Sequence, residues 1–153
     1  MAAVDLNAEA LGVPRKQLME SSGNAVARAC RDLADPGASV AIVAGRGNNG
    51  GDALVAARFL TAYDVTVHLL GRPETISTDI ARENWDALVA GEADRRTVTD
   101  STAFDLGDPD LVVDAMLGTG VTGALREPRK LLDTVTARLT GRDSTGDSHG
   151  GEN

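Results

Sequence analysis

Ala38–Leu60 reads ASVAIVAGRGNNGGDALVAARFL, and its three parts decide the fold. Ala38–Ala44 is a short apolar run rich in β-branched residues. It is bounded by Pro36-Gly37 before and Gly45 after, and is too short for a helix, so it reads as a buried parallel strand. Gly45–Asp52 then packs Gly45, Gly47, Gly50, Gly51, Asn48, Asn49 and Asp52 into eight positions. From Leu54, apolar residues return at helical spacing through Val55, Phe59 and Ala62. Strand, glycine loop and helix, followed by a second strand at Val65–Leu70, make a βαβ unit of about 30 residues.

The rest of the chain extends this unit. Leu18, Ser22, Ala25, Val26, Ala29, Cys30 and Leu33 recur on one face of a helix predicted over Arg15–Leu33. Thr78–Val89 carries Ile80, Trp85, Leu88 and Val89 on another helix, followed by a weak strand at Arg95–Thr99. Leu111–Ala115 is a further strand, and Glu127-Pro128 opens a last helix, where proline suits the first turn. Residues 141–153, GRDSTGDSHGGEN, have no apolar side chain and are expected to be a disordered polar tail, so residues 1–140 are taken as one folded unit. At 153 residues a chain buries about 70% of its unfolded surface around one core. Aromatics make up only 3%, so aliphatic side chains must fill it, as in a sheet covered by helices. The expected class is α/β with a mainly parallel sheet.

Charge and cysteine content exclude several functions. The formal net charge is -8, which opposes binding to nucleic acid or an anionic membrane. Acids are mostly Asp, 16 of 23, and the only lysines are Lys16 and Lys130. Such a carboxylate-rich surface suits a high-salt host, and a melting temperature that rises between low and molar KCl is the expected result. Cys30 is the only cysteine, so neither an intrachain disulfide nor a cysteine zinc cluster can form. No run approaches a membrane span and no signal pattern opens the chain; a cytoplasmic location is expected.

Gly45, Gly47 and Gly50 match G-x-G-x-x-G in the strand-to-helix setting of a dinucleotide fingerprint. Two details resist that reading. The acid that would hold a ribose at the end of the second strand is missing, because Leu70 is followed by Gly71 and Arg72. Asp52 is expected at the helix start, where its carboxylate would accept backbone N–H bonds and repel a phosphate. Asn48, Asn49 and Asp52 therefore form an oxygen-bearing set, on glycines that permit unusual dihedrals and close approach. The set suits a sugar hydroxyl, an amide or a hard cation; a tight turn capped by Asp52 is the plainer alternative.

Val112–Pro128, VVDAMLGTGVTGALREP, repeats the design: a strand, Asp114 near its carboxyl end, then Gly118, Gly120 and Gly123. Ligands of open parallel sheets bind beyond the carboxyl ends of the strands at a topological switch point, so the two loops could face one crevice. If buried, Asp114 must be paired or coordinated; it either serves the site or staples loop amides. Arg126 reads more simply as a solvated arginine near a helix start than as a clamp.

LMESSGNAVA (Leu18–Ala27), VAGRGNNGGDALVAARFL (Val43–Leu60) and VVDAMLGTGVTGALREP resemble, in order, the motifs of the YjeF N-terminal domain family, the NAD(P)H-hydrate epimerases. The resemblance implies a Rossmann-like αβα sandwich, usually dimeric, that interconverts the R and S epimers of NADHX and NADPHX. These are hydrated, damaged forms of the reduced nicotinamide cofactors. An ADP- or ATP-dependent dehydratase is the implied complement. Carried over by position, Asn49 and Asp114 are K+ ligands. Asn48, Asn49, Gly50, Gly51 and Asp52, with Gly118, Thr119, Gly120, Val121, Thr122, Gly123 and Ala124, contact the substrate. Asp52 and Asp114 are the candidate catalytic carboxylates, able to move protons if their pKa is raised.

Two departures qualify this. MESSG stands where the family reads close to MENAG. The family also continues into a strand ending in D-x-P-S-G, whose Asp and Ser serve substrate and K+, and nothing resembling it follows Leu139. The expectation is then a sheet lacking the C-terminal strand or strands of the family, as in a truncated product, a natural short form or half of a complex. Such a chain is either an epimerase, inactive if the loss is decisive, or a non-catalytic nucleotide- or protein-binding module of the same fold. An ordinary NAD-dependent dehydrogenase lacks both its ribose acid and a well-placed catalytic His or Tyr.

Overall fold

The structure, a computed structural model, describes residues 12–91 and 93–116. Seven main elements follow in order: α1 (Arg15–Leu33), β1 (Ser39–Ala44), α2 (Asn48–Phe59), β2 (Asp64–Leu70), α3 (Asp79–Ala90), β3 (Asp94–Val98) and β4 (Leu111–Ala115). The four strands form one sheet in the order β3-β2-β1-β4, and every neighbouring pair is parallel. The α/β class and each expected element up to β4 are therefore present. The helix expected from Glu127-Pro128 and the polar tail lie outside the described residues. No helix among the described residues is long and apolar enough to cross a membrane.

Strand alternation sorts the core into two faces. Val40, Ile42 and Ala44 of β1 join Val67 and Leu69 of β2 and Ala115 of β4. They pack under Met19, Ala27 and Cys30 of α1, Ala53, Leu54, Val55 and Ala56 of α2, and Trp85 and Leu88 of α3. Three helices thus cover one face. α1 lies tightly on α2 because Gly23 permits it: a Cβ there would sit 2.3 Å from Val55 Cγ1 and 2.7 Å from the Asp52 carbonyl oxygen. The helices are also tied through buried Asn84, whose Oδ1 accepts from Arg58 at 2.9 Å while its Nδ2 donates to the Ile80 carbonyl at 3.0 Å. Arg58 in turn donates to Glu20 of α1.

The opposite face buries Ala41 and Val43 with Leu106 and Met116. His68 lies on this face, only 3% exposed, its ring edge-on to Phe104. Burial holds its imidazole below the ordinary value of 6.5, with the Arg96 charge adding to the effect and Asp94 and Asp105 opposing it. The unfolded chain therefore takes up this proton more readily than the folded one. Stability is complete above about pH 6.5 and is lost as the pH falls below it, by at most about 1.4 kcal/mol per pH unit for one group. Urea titrations across pH 5–7 should show that slope, and His68→Gln should flatten it.

Candidate functional site

The sheet order sets where a ligand can enter. The chain moves outward from β1 to β2 and β3, then returns to place β4 on the other side of β1. The switch point lies between β1 and β4, and the crevice is beyond their carboxyl ends. Gly45–Asp52 leaves β1 at this point, and Met116 follows β4 beside it. Gly45 N–H extends the β1–β4 ladder by donating to the Ala115 carbonyl at 2.9 Å.

The glycines do not serve unusual dihedrals. Gly45, Gly47, Gly50 and Gly51 are all absent from the positive-φ positions. Three of them serve close packing instead. A Cβ on Gly45 would lie 2.5 Å from the Met116 carbonyl oxygen, one on Gly50 2.0 Å from the Gly45 oxygen, and one on Gly51 2.7 Å from the Met19 methyl. Gly47 differs, because nothing among the described residues lies within 4 Å of where its Cβ would be.

α2 begins at Asn48, so the NNGGD run is its first turn and not a loop before it. Gly47 is the N-cap, without a side-chain cap hydrogen bond, and the first turn holds no acid. This corrects the expected place of Asp52: it stands in the second turn, half-buried, and does not cap the helix. The first turn at the positive end of α2 therefore holds no carboxylate of its own.

The loop from β2 to α3 builds the other wall, which the sequence motifs do not reveal. The Ser77 backbone N–H and Oγ both donate to the Arg46 carbonyl, at 2.8 and 3.0 Å. Thr78, the N-cap of α3, accepts from Ala81 N–H and donates its hydroxyl to Asn48 Oδ1 at 3.1 Å. That bond orients the Asn48 amide, leaving its NH2 donors to turn elsewhere. The available signal was Thr78 ahead of a helical pattern, which marks an N-cap but not a partner thirty residues away.

Asp114 lies opposite Val43 in the β1–β4 register. It is exposed, so the cost of a lone buried carboxylate does not arise. Its Oδ1 accepts from Met116 N–H at 3.1 Å, the local staple weighed as an alternative. By strand alternation it leaves the sheet on the face opposite the helices. Asn49, in the first turn of α2, and Asp114, at the end of β4, can therefore act together only across the carboxyl edge of the sheet. Both are oxygen donors of the kind a hard monovalent cation takes. Among the described residues no three His, Cys, Asp or Glu side chains cluster as metal ligands, so a cation here would draw on amide and carbonyl oxygens beside Asp114. Gly118, Thr119, Gly120, Val121, Thr122, Gly123, Ala124 and Arg126 lie outside the described residues.

Comparison with known proteins adds four findings. The family model described as YjeF-related protein N-terminus matches residues 15–140. A Methanothermobacter thermautotrophicus protein, named bifunctional NAD(P)H-hydrate repair enzyme Nnr, is 50% identical over 137 residues, 85% of this chain and 26% of that one. A Cenarchaeum symbiosum protein named NAD(P)H-hydrate epimerase is 43% identical over 131 residues, 84% of this chain and 61% of that one. The crystal structure of yeast ynu0 superposes with a TM-score of 0.71 at 25% identity, covering 94% of this chain and 64% of that one. The chain thus spans between about a quarter and three fifths of the length of these two curated relatives.

Proposed function

The chain belongs to the YjeF-related N-terminal family, and from that premise we propose that it is an NAD(P)H-hydrate epimerase domain acting on the R and S epimers of NADHX and NADPHX. The observation that carries the reading is the first turn of α2. Asn48–Asp52 stands at the switch point of a parallel sheet, with no acid in its first turn and the Asp114 strand end beside it. Ligands of open parallel sheets bind at such a point, and its asparagines and carboxylates can address a hydroxylated ring.

Epimerisation at C6 of the hydrated ring requires the C6–O bond to break, helped by protonation of the departing hydroxyl. Water must then add to the other face and lose a proton. Asp52 and Asp114 are the groups proposed to handle these protons, an effect typically worth 10²–10⁴-fold. Asn48, held by Thr78, presents amide donors to the substrate. Asn49 and Asp114 are the proposed K+ ligands; the ion would supply positive charge that offsets the carboxylates and the anionic dinucleotide.

Incubating R-NADHX with the protein in KCl and following the S form by chromatography tests the reading. Conversion well above the spontaneous rate is expected, and a rate equal to it sinks the activity. Tight nucleotide binding without turnover would make the chain a non-catalytic binding module instead. Replacing KCl with NaCl at equal ionic strength should lower the rate severalfold, which separates a bound K+ from general salt stabilisation of the acidic surface. A homodimer, a cytoplasmic location and an ADP- or ATP-dependent dehydratase that consumes the S form complete the proposal. The name bifunctional repair enzyme on one relative supports such a pairing of activities.

A further inference from the structure

Arg46 is exposed, yet both its backbone and its side chain are tied to the segment after β2. Its carbonyl accepts twice from Ser77, and its guanidinium donates from NH1 to Thr75 Oγ1 at 3.0 Å. The Thr75 hydroxyl itself donates to the Arg72 carbonyl at 2.7 Å, so the acceptor offered to Arg46 is fixed in place. Between these anchors the arginine crosses Gly71. A Cβ on Gly71 would lie 2.8 Å from Arg46 Cδ and 3.0 Å from its Nε. Gly71 also has φ +111, a conformation costly to other residues. The end of β2 is thus shaped to let one arginine lie across it.

In a parallel sheet of this order, the ribose on the adenine side of a dinucleotide lies beyond the carboxyl end of the second strand. An acid there reads the 2′-hydroxyl, whereas an arginine accommodates a 2′-phosphate. Leu70, Gly71 and Arg72 provide no acid, and the exposed Arg72 adds a second cation next to the one that crosses the strand end. Glu74, exposed in the following turn (Pro73–Thr75), is the opposing charge. A guanidinium has five N–H donors in a rigid fork suited to phosphate, and the bond to Thr75 leaves others to reach a ligand. At the adjoining helix start, no atom of the described residues lies within 4 Å of a Cβ built on Gly47.

We propose that Arg46, positioned by Thr75 and Gly71, reads the 2′-phosphate of the nucleotide and gives the site a preference for the phosphorylated dinucleotide, NADPHX over NADHX. This rests on the epimerase reading for its substrate but not for its test. Calorimetric titration with NADP+ and NAD+ at fixed ionic strength should give at least roughly tenfold tighter binding of NADP+. Arg46→Met should bring the ratio near one while changing NAD+ affinity less than about threefold. Thr75→Val, which keeps the charge and removes its anchor, should give an intermediate ratio; because it leaves Arg46 in place, it also guards against a folding failure of the first variant. Equal binding of the two nucleotides by the unaltered chain, or no binding of either, overturns the proposal. Equal loss of both in Arg46→Met also overturns it, since that outcome assigns the arginine to the shared diphosphate. Parallel epimerase assays keep the two ideas apart. Equal kcat/KM for NADHX and NADPHX sinks the 2′-phosphate preference alone, whereas NADP+ selectivity without turnover sinks the epimerase reading alone.

Discussion

Gly50→Ala will yield little folded protein, and what folds will have lost its site. The added methyl would stand 2.0 Å from the Gly45 oxygen, 2.7 Å from its carbon and 3.1 Å from its nitrogen. All three are backbone atoms at the point where β1 turns into α2, so no side chain can swing aside. The turn must open, moving either the β1–β4 ladder or the start of α2. Overpacking of a well-filled site costs about 1–3 kcal/mol and occasionally more. A contact this close to backbone belongs at or above the top of that range, a large part of the 5–15 kcal/mol that stabilises a domain. Thermal unfolding should show a fall in melting temperature of about 10 °C or more.

Gly47→Ser is the informative contrast. Serine is a preferred N-cap, nothing among the described residues lies within 4 Å of the new Cβ, and the backbone at φ -97 suits any residue. Its melting temperature should hold or rise slightly. Nucleotide affinity should nevertheless fall severalfold, because the side chain would stand at the helix end where the nucleotide is proposed to bind. Loss of stability in Gly47→Ser, or full stability in Gly50→Ala, would overturn this division of the glycines.

Much of this was legible in the sequence, and the failures have physical causes. β4 falls where the pattern puts it, and β1, β2, α1 and α3 agree within a residue or so, because their apolar spacing and flanking glycines and prolines carry the signal. The start of α2 did not. Asn48, Asn49, Gly50, Gly51 and Asp52 are weak helix formers, so the pattern begins only at Leu54. The close fits at Gly23, Gly45 and Gly51 override that propensity. The exposure of Asp114 was equally hidden, since its strand neighbours are apolar and only the register decides what its own side chain meets. Arg46–Thr75 and Asn48–Thr78 join residues about thirty positions apart. The sequence registered that end of β2 only as a missing acid, whereas the structure fills it with an arginine.

Asp114→Asn should reduce epimerase kcat by about 10²-fold or more with little change in stability. The reasoning turns on what the substitution keeps. Asparagine retains an oxygen at the position of Oδ1, so the bond from Met116 N–H survives and the strand end keeps its staple. Asp114 is exposed, so exchanging its charge for an amide removes no buried interaction; surface changes of this sort usually stay within about 0.5 kcal/mol. What disappears is the negative charge and the ability to accept a proton. A purely structural Asp114 therefore predicts unchanged turnover, and a catalytic or K+-binding one predicts collapse. The two active roles separate on cation dependence. If Asp114 mainly holds K+, raising KCl should restore much of the rate in the variant, because the amide oxygen still binds the ion weakly. If it moves a proton, saturating KCl should leave the rate low. Asp52→Asn is the companion measurement: Asp52 stands in the second turn of α2 and does not cap it, so its loss should lower kcat without the unfolding expected of a lost N-cap. Full activity in both variants would remove the carboxylates from the chemistry altogether.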